Sequence, residues 1–290
     1  MKVIRAGVLG YCVGVRRAVD MALAECRAGG ASRGVFTMGP LIHNPQVMRS
    51  LEERGVGILD EGALPGNLGG AVVIIRAHGI TPQLEAELAR RGARLVDATC
   101  PKVKASQMRA RSLSGEGCRV FLAGEERHGE LIGVQGYAPG SVVVADPGEA
   151  ERAAEKLFRE EGEIKTALLG QTTISPGEYR AIAGGIRKFF PGLAVVDTIC
   201  GATRDRQDAL RELCGGVDAV IIAGGRESAN TRRLLGIAKS RGKPAWLIET
   251  KDEIPPEIGS YALVGLIAGA STPDGVIADI ERALPLIRPR

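Results

Sequence analysis

The sequence predicts an α/β fold of three similar αβ units with mostly parallel sheets. Three repeated observations predict it. Cys12, Cys100 and Cys200 each end a short apolar run: Val8-Leu9-Gly10-Tyr11, Leu95-Val96-Asp97-Ala98-Thr99 and Val195-Val196-Asp197-Thr198-Ile199. Each run reads as a buried strand with a helical pattern behind it. A second strand then ends at a glycine: Phe36-Thr37-Met38-Gly39, Phe121-Leu122-Ala123-Gly124 and Ile221-Ile222-Ala223-Gly224, at offsets of 27, 24 and 24 residues from the cysteine. A third strand leads through a polar turn to a hydroxyl-proline pair: Thr81-Pro82, Ser175-Pro176 and Thr272-Pro273. Proline at the first helical position loses no hydrogen bond, so each pair marks a helix start.

The elements follow in that order in every unit. After the second strand come the polar loops His43-Asn44, His128-Gly129-Glu130 and Ser228-Ala229-Asn230. After the third strand come Arg76-Ala77-His78, Gln171-Thr172-Thr173 and Gly269-Ala270-Ser271. Helical patterns such as Glu149–Phe158, Arg204–Leu213 and Thr231–Lys239 alternate with the strands, which implies parallel sheets covered by helices. The units expected are residues 1–99, 100–199 and 200–290. Ligands of open αβ sheets gather beyond the carboxyl ends of strands, where all these polar loops lie. A pseudo-threefold (trefoil) packing would turn the loops toward one central cavity.

Composition sets the bounds. With 290 residues and 44% hydrophobic content the chain can bury real cores without staples. An aromatic content of 3% argues against stacking platforms for single-stranded nucleic acid. A net charge of +4 is small for a nucleic-acid protein and compatible with a small anionic ligand. No apolar run approaches a membrane span. Lys2 and Arg5 precede a short apolar stretch, but Arg16 and Arg17 follow at once and no small-x-small cleavage site is present, so no signal peptide is expected. Bulky Tyr11 argues against a lipid-anchored Cys12. A cytoplasmic protein with reduced thiols is expected.

Six cysteines divide into two groups. Cys26, Cys118 and Cys214 lie in or beside helical or strand patterns and read as small hydrophobes. Cys12, Cys100 and Cys200 share the repeat, so three thiols could converge on one centre. No C-x-x-C pair is present, which disfavours a zinc ribbon or a redox dithiol. A three-thiolate zinc site and an iron–sulfur cluster both stay open, the latter fitting soft, thiolate-only ligation. In a [4Fe-4S] cluster three protein thiolates would leave one iron open to water or substrate. Helix starts behind the cysteines would favour thiolate charge.

The chain has three histidines, His43, His78 and His128, and each sits in one of the strand-end loops. With Asn44, Thr172, Thr173, Ser228, Asn230 and Ser271 they form a donor-rich, mostly neutral set suited to a compact oxyanion such as diphosphate. Glu130 is the one carboxylate placed in a loop beside a histidine, and is the candidate proton donor. Gly7-Val8-Leu9-Gly10 is not G-x-G-x-x-G, so no dinucleotide site is expected.

Seven collinear motifs now carry a resemblance over essentially the whole chain. They are Gly10-Tyr11-Cys12-Val13-Gly14-Val15-Arg16-Arg17-Ala18, Gly39-Pro40-Leu41-Ile42-His43-Asn44, Arg76-Ala77-His78-Gly79, Asp97-Ala98-Thr99-Cys100-Pro101, Gln171-Thr172-Thr173, Asp197-Thr198-Ile199-Cys200 and Gly269-Ala270-Ser271. Together they resemble the LytB-type 4-hydroxy-3-methylbut-2-enyl diphosphate reductases, which end the deoxyxylulose (non-mevalonate) isoprenoid pathway. The resemblance implies three αβ units around one [4Fe-4S] cluster held by Cys12, Cys100 and Cys200. It implies that His43, His78, His128, Ser228, Asn230 and Ser271 bind the substrate diphosphate. It makes Glu130 the proton-relay acid, assisted by Thr172 or Thr173. The implied reaction is a two-electron reductive dehydroxylation giving isopentenyl and dimethylallyl diphosphates, with ferredoxin or flavodoxin as electron donor.

Three positions depart from the family pattern. Ala229 stands where serine is usual, which removes one neutral diphosphate donor. Gly129 replaces a usual proline and is expected to loosen its loop. Gly201 replaces a bulkier residue. The alternatives to the reductase are another iron–sulfur-dependent reductase or dehydratase of a small phosphorylated alcohol, and a non-catalytic zinc or cluster sensor.

Overall fold

The computed structural model describes residues 1–29, 32 and 34–288. Among the described residues there are twelve strands: β1 (Lys2–Arg5), β2 (Val35–Met38), β3 (Val56–Leu59), β4 (Val72–Ile75), β5 (Arg94–Asp97), β6 (Arg119–Ala123), β7 (Val142–Val144), β8 (Thr166–Gly170), β9 (Ala194–Val195), β10 (Ala219–Ala223), β11 (Ala245–Ile248) and β12 (Leu263–Ala268). The α-helices are α1 (Val13–Ala28), α2 (Pro45–Glu52), α3 (Pro82–Arg90), α4 (Pro101–Gly115), α5 (Gly129–Tyr137), α6 (Pro147–Glu161), α7 (Pro176–Arg187), α8 (Gly201–Gly215), α9 (Ala229–Ser240) and α10 (Asp274–Ala283).

The strands form three four-stranded sheets, ordered β3-β2-β4-β5, β7-β6-β8-β9 and β1-β12-β10-β11. Every pairing is parallel. The α/β class and the parallel sheets are therefore as the sequence predicts. The repeat is visible in the strand orders: each sheet has an outer strand, two central strands and, at the other edge, the strand that leads toward a cysteine. By compactness the chain falls into two units, one of Met1–Arg16, Ile42–Ser50 and Gly201–Arg290, the other of Arg17–Leu41 and Leu51–Cys200.

In the second of these units, β6 shows why the sheet is covered on both faces. Val120 and Leu122 pack with Ala110, Leu113, Leu131 and Val134 of α4 and α5. Phe121 and Ala123 pack on the other side with Ala150, Ala154, Ile182 and Ile186 of α6 and α7. Alternating side chains point to opposite faces, so an uninterrupted apolar strand needs a helix on each. In the first unit β10 behaves alike, with Ile221 against Ile277 and Ile280 of α10. Its neighbour Ile222 faces Leu210, Leu213 and Leu234. Each such fully buried aliphatic side chain contributes about 1.5–3 kcal/mol.

Three expectations about local structure are corrected. Val8-Leu9-Gly10-Tyr11 is not a strand: β1 ends at Arg5, Val8 is 37% exposed, and Gly10 turns the chain with φ of +82°. The strand before Cys200 is also shorter than its apolar run, ending at Val195. At the third hydroxyl-proline pair the helix begins one residue late. Pro273 occupies the cap position while Thr272 Oγ1 donates to Ala223 O at 3.0 Å, because that hydroxyl is buried and needs a partner. One strand also lies elsewhere than residues 1–99 suggest. β1 pairs with β12, from Lys2 opposite Leu263 to Arg5 opposite Leu266, and so covers the open edge of the last sheet.

Candidate cluster and diphosphate site

Within the unit of residues 17–41 and 51–200, the site is assembled at strand ends. Cys100 is the N-cap residue of α4, with Pro101 in the first turn, and its N–H donates to Ala77 O at 3.0 Å. Ala77 belongs to the turn that carries His78. That turn closes through Gly79, at φ of +74°, where a Cβ would stand 2.3 Å from Gln107 Nε2. Only glycine satisfies both the backbone angle and the space.

His128 is the N-cap of α5, and its Nδ1 accepts the Glu130 N–H at 3.2 Å. The His78 and His128 rings meet edge to face, 5.2 Å between centroids.

Glu130 is 2% exposed and not a surface helix-start acid. Its Oε1 accepts the Thr172 N–H at 2.6 Å and its Oε2 accepts Thr172 Oγ1–H at 2.7 Å. The hydroxyl that donates to the acid at this distance is Thr172's. Thr172 O in turn accepts the Cys200 N–H at 2.9 Å. One residue thus fastens both the acid and a cysteine.

In the unit of residues 1–16, 42–50 and 201–290 the same plan recurs. Cys12 directly precedes α1, its N–H donates to Ala270 O at 3.2 Å, and its Sγ accepts the Val15 N–H at 3.4 Å. Ser271, next to Ala270, donates from Oγ to His43 O at 3.2 Å. Asn44 caps α2, its Oδ1 accepting from Gln46 and Val47 N–H at 3.1 Å each. Ser228 caps α9, accepting the Thr231 N–H at 3.4 Å. Asn230 is 4% exposed, and neither its Nδ2 nor its Oδ1 has a protein partner. A buried amide without partners costs roughly 1–3 kcal/mol, which a bound ligand would recover. Ala229, where a serine donor is usual, is buried beside it.

The repeat is therefore a repeat of hydrogen bonds. Each cysteine N–H is held by the carbonyl of a third-strand turn, from Ala77, Thr172 or Ala270. Asn44, His128 and Ser228 hold equivalent caps. The three cysteines are half-buried, and among the described residues none forms a disulfide. Each of the three is a soft donor at a helix start, and Cys12 Sγ already accepts an N–H, a chemistry suited to thiolate ligation of iron.

Sequence reasoning quoted Gln171 and Arg76 within motifs without giving either a role, and passed over Gln107. Gln171 is fully buried and its Oε1 accepts the Glu125 N–H at 3.1 Å, fixing the loop ahead of His128. Gln107 packs beneath the His78 turn. It and Gln207 each stand seven residues after a cysteine, a spacing that could have marked them. The Arg76 guanidinium fills the space beside Gly129, 3.0 Å from where a Cβ would stand, so the glycine leaves no gap in that loop. Burial lowers the Arg76 pKa, with Glu61 opposing the shift.

Comparison with known proteins shows the family and the fold. The LytB protein family matches residues 3–285. This chain belongs to the LytB family. A LytB relative from Treponema denticola, a 4-hydroxy-3-methylbut-2-enyl diphosphate reductase, is 46% identical over 98% of this chain and 99% of its own length. One of the same name from Solidesulfovibrio magneticus is 41% identical over 98% and 99%. The structure of the E-1-hydroxy-2-methyl-but-2-enyl-4-diphosphate reductase from Plasmodium falciparum superposes with a TM-score of 0.86 at 26% identity, covering 95% of this chain and 85% of that one. A second structure, of (E)-4-hydroxy-3-methyl-but-2-enyl diphosphate reductase, the terminal enzyme of the non-mevalonate pathway, gives a TM-score of 0.69 at 36% identity, covering 98% and 99%.

Proposed function

We propose that this chain is a 4-hydroxy-3-methylbut-2-enyl diphosphate reductase. It replaces the allylic hydroxyl by hydrogen, consuming two electrons and two protons and releasing water, to give isopentenyl and dimethylallyl diphosphates. The similarity of name, length and fold among its relatives supports the substrate class. The observation that carries the reading is the buried Glu130 held at both oxygens by Thr172, which also bonds the Cys200 N–H.

In this reading Cys12, Cys100 and Cys200 hold one [4Fe-4S] cluster with one open iron. When bound, the cluster supplies the electrons and a Lewis acid for the C–O bond. The protein supplies the rest. His43, His78, His128, Ser228, Asn230 and Ser271 bind the diphosphate, with the Asn230 amide gaining its missing partners there. Glu130 and Thr172 form the relay that delivers a proton to the departing oxygen, and Thr172 aims the carboxyl. Thr173 lines the same turn. Ferredoxin or flavodoxin supplies electrons one at a time, in the cytoplasm. Among the described residues no helix is long and apolar enough to cross a membrane.

The test is Glu130→Gln, which keeps the shape and removes the acid. Turnover should fall about 10²–10⁴-fold with iron content and substrate affinity retained. Full turnover with retained affinity would remove Glu130 from the proton path.

A further inference from the structure

The three cysteines are not equally tied to their sheets. β5 runs to Asp97, Ala98 N–H bonds Ile75 O at 3.2 Å, and Cys100 follows two residues later. After β9, Val196 N–H bonds Leu168 O at 3.0 Å. The Thr198 hydroxyl then donates to Gly170 O at 2.7 Å and accepts Gly170 N–H at 2.8 Å. Both cysteines therefore continue a strand's attachment. Cys12 does not: after Ala6 N–H bonds Leu266 O, the chain passes through Gly7 and Gly10 before Cys12 N–H reaches Ala270 O. Two glycines make this the least constrained approach.

An arginine meets that loop. Arg206, on α8, is 2% exposed. Its Nη2 donates to Gly10 O and its Nη1 to Ala202 O at 2.8 Å. Gly10 can present its carbonyl because it adopts φ of +82°, and its α-carbon is pressed against α10, with Asp274 Oδ1 3.0 Å and Ile277 Cδ1 3.2 Å from where a Cβ would stand. The loop is thus gripped between an α8 guanidinium and α10. The planar guanidinium serves two carbonyls at once, which a lysine ammonium on a flexible stem does less well.

We propose that Arg206 is the positioning residue of Cys12. Its guanidinium fixes the Gly10–Cys12 loop and so the direction of the Cys12 thiol, the task that the sheet performs for Cys100 and Cys200. Its link to cluster assembly rests on the proposed function; the clamp itself does not.

The experiment is a timed iodoacetamide pulse on full-length, metal-stripped protein under anaerobic conditions, with the alkylated peptides quantified by mass spectrometry. In Arg206→Met, Cys12 should react roughly tenfold faster than in the parent, as expected for losing a hydrogen bond from a charged donor, while Cys100 is unchanged. Arg206→Lys should restore part of the protection. An unchanged Cys12 rate in the variants overturns the proposal, and so does an equal acceleration at Cys12 and Cys100, which would mean general loosening. If Arg206→Met does not fold, Arg206→Lys alone decides, by an intermediate rate at Cys12 only. A second readout follows iron loss to a chelator after reconstitution with iron and sulfide, expected about tenfold faster in Arg206→Met. A parent protein that takes up no iron would refute the cluster reading and leave the alkylation result to decide the clamp.

Discussion

Thr172 does three things with three atoms. Its N–H and hydroxyl hold the two Glu130 oxygens, and its carbonyl holds the Cys200 N–H. Thr172→Val should therefore lower turnover about 10–100-fold while preserving the fold, because the backbone bonds remain and one relay hydroxyl is lost. Thr173→Val should have the smaller effect on kcat. Steady-state kinetics of the two variants tests the assignment, and a larger loss in Thr173→Val would reverse it. Ala229 gives a prediction of the opposite sign. Ala229→Ser restores a hydroxyl beside Asn230 and should lower KM about 2–10-fold with kcat unchanged, since one neutral hydrogen bond contributes about 0.5–1.5 kcal/mol. A raised KM would mean that the buried position cannot admit the hydroxyl.

At the scale of elements, the segment from β5 to α4 shows how a ligand is delivered. Asp97 Oδ1 accepts the Thr99 N–H at 3.0 Å and Oδ2 accepts Lys104 Nζ at 2.9 Å, so the carboxylate spans the turn that presents Cys100. Burial acts to raise the Asp97 pKa, but the bonds from Thr99 and Lys104 outweigh it and the net shift is downward. A folded pKa below the unfolded one stabilises above the unfolded carboxylate range. That stabilisation disappears as pH falls through the folded pKa. Asp97→Asn should therefore be less stable than the parent near neutrality, and the two should converge in acid. The side chain is 40% exposed, so solvent screening keeps the difference small. Urea midpoints at several pH values measure it. A difference that grows in acid would contradict the assignment.

At the scale of the whole molecule, the repeat in the sequence is the repeat in the structure. Three parallel sheets and the helix starts behind Cys12, Cys100 and Cys200 were legible because strands and helix starts leave local signals. The pairing of β1 with β12 was not, because it joins the two ends of the chain and nothing local encodes it. Val8-Leu9-Gly10-Tyr11 misled because its apolar residues suggest a strand while its glycine provides a turn. Thr172 and Thr173 are adjacent and chemically alike, so only the position of Glu130 separates them. Arg206 carries no local signal in the sequence, since its partner Gly10 lies 196 residues away.

The central claim is that three cysteines of three repeats hold one cluster with an iron open to the substrate. Mössbauer spectroscopy on iron-labelled protein, purified anaerobically, tests it most directly, with and without 4-hydroxy-3-methylbut-2-enyl diphosphate. The account predicts a four-iron cluster with one distinct iron whose signal changes when the substrate is added. A protein without a cluster, or a spectrum indifferent to the substrate, would contradict it.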